Sequence, residues 1–139
     1  MRNIPARLRQ AVIERANDRC EYCRLAQAGQ AATFHIDHIV PIAAGGGTTS
    51  DNLALACVAC SLHKSARRVA PDPETGSDAP LFHPRLQQWS EHFRWEGLRV
   101  VGLTPTGRAT VAALEMNRPT VLAIRAEEIF FQRHPPKIL

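Results

Sequence analysis

Asp37 and His38 stand side by side near the end of an apolar and β-branched run, Thr33 to Val40, that Pro41 closes. The pair offers a hard carboxylate oxygen suited to Mg²⁺ or Mn²⁺. It also offers an imidazole, a group that titrates near neutrality and can take a proton from water. Two C-x-x-C pairs, Cys20 with Cys23 and Cys57 with Cys60, bracket this run. The 33 residues between Cys23 and Cys57 can loop so that four thiolates meet around one tetrahedral ion. A Zn²⁺ held that way is coordinatively full and redox-silent, so it shapes the chain and adds folding free energy that a small core lacks. A redox C-x-x-C or unligated core cysteines are the competing readings; disulfides are disfavoured in a reducing compartment.

The elements that must hold these groups follow from periodicity and turn chemistry. Residues 5–18 read as a helix, with Pro5 in the first turn and Leu8, Val12, Ile13 and Ala16 at helical spacing. Arg2, Arg7, Arg9, Arg15 and Arg19 fall on the remainder and read as a solvated face. Asn17 and Asp18 break the helix, and CEYC follows as a tight knuckle. Thr33 to Val40 is a short strand, AAGGGTTSDN a glycine-rich turn, Leu53 to Ala56 the return strand, and Val58 to Arg68 a helix. Neighbours on a regular strand point to opposite faces, so Asp37 and His38 are expected to need a local irregularity to serve one site. Residues 71–80, PDPETGSDAP, read as a linker. Beyond them the spacing predicts a helix over HPRLQQWSEHF and a hairpin around Glu96 and Gly97. A helix N-capped by Thr104 with Pro105 at its first position follows, then a last helix over 118–133. Trp89, Phe93 and Trp95 read as core of this region.

Composition sets outer bounds. With 139 residues the chain fits one domain, or a small module plus an extension. A hydrophobic fraction of 45% excludes wholesale disorder. The net charge of +4 suits a polyanionic partner. No apolar run approaches the ~18 residues that span a bilayer, and MRNIPARLRQ has no apolar signal core; a cytoplasmic setting without membrane contact is the expectation.

Taken together, Cys20-x-x-Cys23, His35-Ile36-Asp37-His38-Ile39-Val40-Pro41, the paired glycines, Asn52-Leu53 and Cys57-x-x-Cys60 resemble an HNH endonuclease of the four-cysteine zinc type, over roughly residues 15–68. The segments PETG, LFHP, HFRW and VGLTPTGRAT are similar to an extension of some bacterial HNH proteins. The resemblance implies an α+β chain: a zinc-stapled ββα-metal module at 1–70, the linker at 71–80, and an α/β extension with a short hairpin and helices at 81–139, packed on the module. It implies a metal-dependent endonuclease hydrolysing DNA phosphodiesters, with His38 as general base and Asp37 as ligand of a catalytic Mg²⁺ or similar divalent ion. Asn52 would fix the loop and position the base. The family's last ligand, usually His or Asn, directly follows the second cysteine of the pair; here that residue is Ser61, a weaker ligand that can act directly or through water. His63 lies about 200° around a helix from Ser61. His35 shares a strand face with Asp37 and could add a ligand, though a partly buried structural histidine is the favoured reading. DNA contact is expected from His63, Lys64, Arg67 and Arg68, dominated by phosphate and sensitive to salt. No organic cofactor is implied. The competing function is a non-catalytic zinc-finger-like nucleic-acid-binding module on the same scaffold.

Overall fold

Helix α1, Ala6–Arg15, starts directly after Pro5 and buries Val12. It stops because Asn17 and Asp18 both take positive φ, 54° and 55°, a conformation that short polar side chains tolerate best. In the computed structural model, which describes residues 3–137, the chain divides into two units, Met1–Ala66 and Arg67–Leu139.

The first unit is built on a two-stranded antiparallel sheet. Strand β1, His35–His38, pairs with β2, Leu53–Ala56, with His35 opposite Ala56 and His38 opposite Leu53. All four β2 residues are buried. The edge of β2 away from β1 is satisfied by the cysteine knuckle: Glu21 N–H donates to Leu55 O, and Glu21 Oε2 accepts from Leu55 N–H, both at 2.8 Å. A buried glutamate thus stands in for part of a third strand, which satisfies backbone groups that would otherwise be orphaned. Arg15 is a tie rather than part of a solvated face. Its guanidinium donates to Ser50 O, Ser50 Oγ and Leu53 O at 3.0, 2.9 and 2.7 Å, and Arg19 donates to Arg24 O at 2.8 Å. Helix α2, Val58–Lys64, follows β2 and is shorter than the sequence suggests. Ser65, at φ 50° and ψ −133°, ends it before Arg68.

The second unit has its own core. Residues 71–80 are not a linker, because β3, Val69–Pro71, and β4, Asp78–Pro80, form an antiparallel hairpin. The Pro, Asp and Gly content there is hairpin-turn chemistry: Asp72 Oδ1 accepts from Glu74 N–H at 2.9 Å, and Gly76 sits at φ 78°. The helix expected over 83–93 shrinks to α3, Trp89–His92. Upstream, His83 Nδ1 accepts from the N–H groups of Arg85 and Leu86 at 3.2 Å and its carbonyl from Gln87 N–H at 3.0 Å, a single capped turn that does not continue as helix. Strands β5, Phe93–Glu96, and β6, Arg99–Gly102, form the expected hairpin, turning at Gly97 with φ 60°. Thr104 caps α4, Pro105–Ala113, accepting from Gly107 N–H at 3.0 Å, and α5 is Pro119–Phe130. Trp89 and Phe93 are buried, with ring centroids 5.0 Å apart, and Trp95 lies 5.4 Å from Trp89. The whole is an α+β chain of short antiparallel hairpins and helices. No helix among the described residues is long and apolar enough to cross a membrane.

Candidate metal centre and active site

The four cysteines converge. All are buried, and their sulfurs lie within 4.8 Å of one another, with Cys23 Sγ 3.7 Å from Cys57 Sγ. Metal–sulfur bonds of about 2.3 Å in a tetrahedron require sulfur–sulfur edges of about 3.8 Å, so the donor set fits one ion. Each knuckle aims a backbone N–H at its first sulfur, Cys23 N to Cys20 Sγ and Cys60 N to Cys57 Sγ, both at 3.4 Å. Burial pushes the Cys20 thiol well up, and its sulfur neighbours push Cys60 up. Cys23 is held well down by hydrogen bonds from the other three. A dry cage of four thiols resists holding several thiolates unless a cation balances them.

Beside this cage, β1 and α2 wall an open cavity of about 810 Å³, whose lining includes Thr33 through His38, Pro41, Ser61 and Arg9. Six consecutive residues, 33–38, reach it. The β1–β2 ladder is regular through His38, so the irregularity expected at Asp37 and His38 is absent. Residues 33–38 nevertheless line the cavity in succession, so both Asp37 and His38 reach it from a regular strand.

The two faces of β1 find different partners. On one, Asp37 Oδ2 accepts from the Tyr22 hydroxyl at 2.8 Å and pairs with Lys64 Nζ at 3.2 Å. Its Oδ1 has no hydrogen-bond partner among the described residues. Burial, then the adjacent Asp37 carboxylate, pushes the Tyr22 phenol well above its usual value, so it stays a donor to Asp37. On the same face His35 Nδ1 and Ser61 Oγ share a hydrogen bond of 2.9 Å. On the other face His38 Nε2 and Thr48 Oγ1 share one of 2.9 Å.

Asn52 closes the loop over these strands. Its Oδ1 accepts from Val40 N–H at 2.9 Å, and its Nδ2 donates to Val40 O at 3.0 Å and Gly47 O at 2.9 Å. The side chain therefore pairs with one peptide group as a strand would. Gly46 lies so close that a Cβ there would sit 1.8 Å from Val40 O.

Residues 20–67 match the family model for HNH endonuclease. This segment is similar to HNH endonucleases. No curated protein and no solved structure matches the chain significantly. The four-cysteine cluster fits the zinc-binding type of HNH domain, and the match ends at Arg67, at the start of the second unit.

Within the matching segment, one expected DNA contact is placed otherwise. Lys64 is 2% exposed and donates to His38 O and Ile39 O at 3.4 and 3.2 Å, besides its pair with Asp37. Its ammonium is consumed in satisfying the end of β1, so it is not a phosphate contact. His63 folds back onto its own helix, with Nδ1 2.8 Å from Ala59 O. Arg67 and Arg68 are exposed and belong to the second unit, where Arg67 donates to Ala113 O at 3.1 Å. His35 is exposed, not the partly buried structural histidine expected. Tyr22 and Thr48 were invisible as site residues, because neither side chain signals its partner locally. Arg9 carried only a helical-face signal, yet it reaches the cavity lining. Among the described residues the cysteines are the only group of three or more His, Cys, Asp or Glu close enough to share an ion.

Proposed function

We propose that the HNH-like segment is a metal-dependent endonuclease acting on DNA with low sequence specificity, with Zn²⁺ in the cysteine cage as its staple. The observation that carries this reading is that Asp37, His38 and Ser61 line one open cavity within the segment matching the family. His38 takes a proton from the attacking water while the hydrogen bond to Thr48 orients its ring. When the water oxygen bonds to phosphorus, the phosphorus–oxygen bond to the leaving 3′-oxygen breaks. Asp37, through its unpartnered Oδ1, and Ser61, which lines the same cavity, would hold a Mg²⁺ or similar divalent ion. That ion supplies positive charge to the phosphate and to the leaving oxygen. Asn52 keeps the loop bearing Thr48 closed on β1. Exposed Arg9, which lines the cavity, would hold the phosphate backbone. Reduced thiols for the cage suit a cytoplasmic setting.

Two observations favour the second reading, a nucleic-acid-binding module without turnover. Asp37 is already neutralised by the Lys64 ammonium, and Ser61 replaces a stronger ligand. A plasmid-nicking assay with Mg²⁺, Mn²⁺ or EDTA, beside His38→Ala, separates the two. Metal-dependent nicking that the substitution abolishes, with DNA affinity unchanged, selects the enzyme. Retained binding with no cleavage by either protein selects the module.

A further inference from the structure

At position 61 the proposed catalytic site offers only a serine hydroxyl, a weak metal ligand, and an exposed imidazole lies beside it. His35 is two residues from Asp37 on β1, so it leaves the strand on the same face. Its Nδ1 is 2.9 Å from Ser61 Oγ, and His35, Asp37 and Ser61 all line the same cavity. The geometry resembles the usual support of a metal-bound histidine, in which one ring nitrogen bonds an oxygen that fixes the tautomer and leaves the other nitrogen free to coordinate. A structural histidine is normally buried against its partners; this one is exposed and hydrogen-bonded only to Ser61 among the described residues.

We infer that His35 is a nitrogen ligand of the divalent-ion site, coordinating through Nε2, with Ser61 as its orienting partner and Asp37 as the carboxylate. The inference deepens the nuclease reading and rests on it for the site's purpose, but not for its binding chemistry. A carboxylate with an imidazole selects differently from an all-oxygen site. Imidazole suits borderline transition ions, whereas Mg²⁺ demands oxygen ligands and surrenders its water reluctantly. The site therefore prefers Mn²⁺, Co²⁺, Ni²⁺ or Zn²⁺ to Mg²⁺.

The test uses the full chain with its cysteine cage loaded with zinc, titrated with Mn²⁺ and followed by the electron paramagnetic resonance signal of the free ion. The wild type should bind one Mn²⁺ that excess Mg²⁺ displaces poorly. His35→Ala, at an exposed position that leaves the fold intact by circular dichroism, should weaken Mn²⁺ by about tenfold or more and erase the preference over Mg²⁺. Ser61→Ala should weaken it less, and Ser61→Asn in the His35→Ala background should restore binding. Paramagnetic broadening of the ring resonances should fall on His35 before His63. Unchanged Mn²⁺ affinity in His35→Ala overturns the inference, as does a wild type that binds no Mn²⁺. If His35→Ala binds Mn²⁺ normally while nicking remains dependent on His38, the inference fails and the nuclease reading stands. Mn²⁺ bound through His35 without any nicking upholds the inference and overturns the nuclease reading.

Discussion

Lys64 shows how a side chain's role depends on where its head group ends. Its ammonium meets two carbonyls and a carboxylate, so Lys64→Ala would leave a buried Asp37 charge without its partner. The expected cost is about 3 kcal/mol, read as a lowered urea midpoint, with no change in the salt dependence of DNA binding in any fraction that folds. Arg9→Ala should do the reverse. Stability should be unaltered, while DNA affinity falls uniformly across sequences and the salt slope shrinks by about 1. Tyr22→Phe removes the hydrogen bond to Asp37 Oδ2, and isothermal titration should show divalent-ion affinity falling by about tenfold. All three residues stand plainly in the chain, but a lysine three places after Ser61 reads equally well as a phosphate contact or as a buried tie. Which carbonyls end near its head group is settled by the end of β1, 25 residues before Lys64 in sequence.

Elements were legible where local chemistry agreed with tertiary demand. Leu53–Ala56 as a strand, the Glu96–Gly97 hairpin and the Thr104 cap all carry their own signals, and the fold uses each one. Thr104→Ala should cost about 1 kcal/mol in a thermal melt of the second unit. Residues 71–80 mislead because the same Pro, Asp and Gly serve linkers and tight hairpins. What decides is Arg108, 36 residues after Asp72, to which it donates at 3.0 and 2.8 Å. Those bonds are the first cause holding the Asp72 carboxyl down at about 2, against opposing burial. A carboxyl depressed in the folded state stabilises fully above its unfolded value of about 4, and that contribution is lost as pH falls toward 2. The second unit should therefore lose stability across that window, and Asp72→Asn should flatten this acid limb in denaturation curves taken from pH 5 to pH 2.

Across the whole chain, each unit has its own source of order. The first has a small apolar core around β2 together with the cysteine cage, whereas the second has an aromatic core of Phe82, Trp89 and Phe93. Chelation of the caged ion should therefore unfold the first unit alone. The single tyrosine reports on the first unit and the two tryptophans on the second. Tyrosine near-ultraviolet dichroism should collapse with chelator while the tryptophan signal survives; joint loss would show that the units fold as one. The four-cysteine cluster and the likeness to HNH endonucleases were already written in the linear order of residues. C-x-x-C spacing, the Asp37–His38 pair, and Asn52 between glycine turn and strand each constrain a short stretch of chain, so they can be read without a fold. The side-chain contacts around β1 exist only once the chain has folded. Tyr22 and Lys64 meet Asp37, Thr48 meets His38, and His35 meets Ser61, because folding brings a knuckle, a loop and a helix from distant parts of the chain to the two faces of β1.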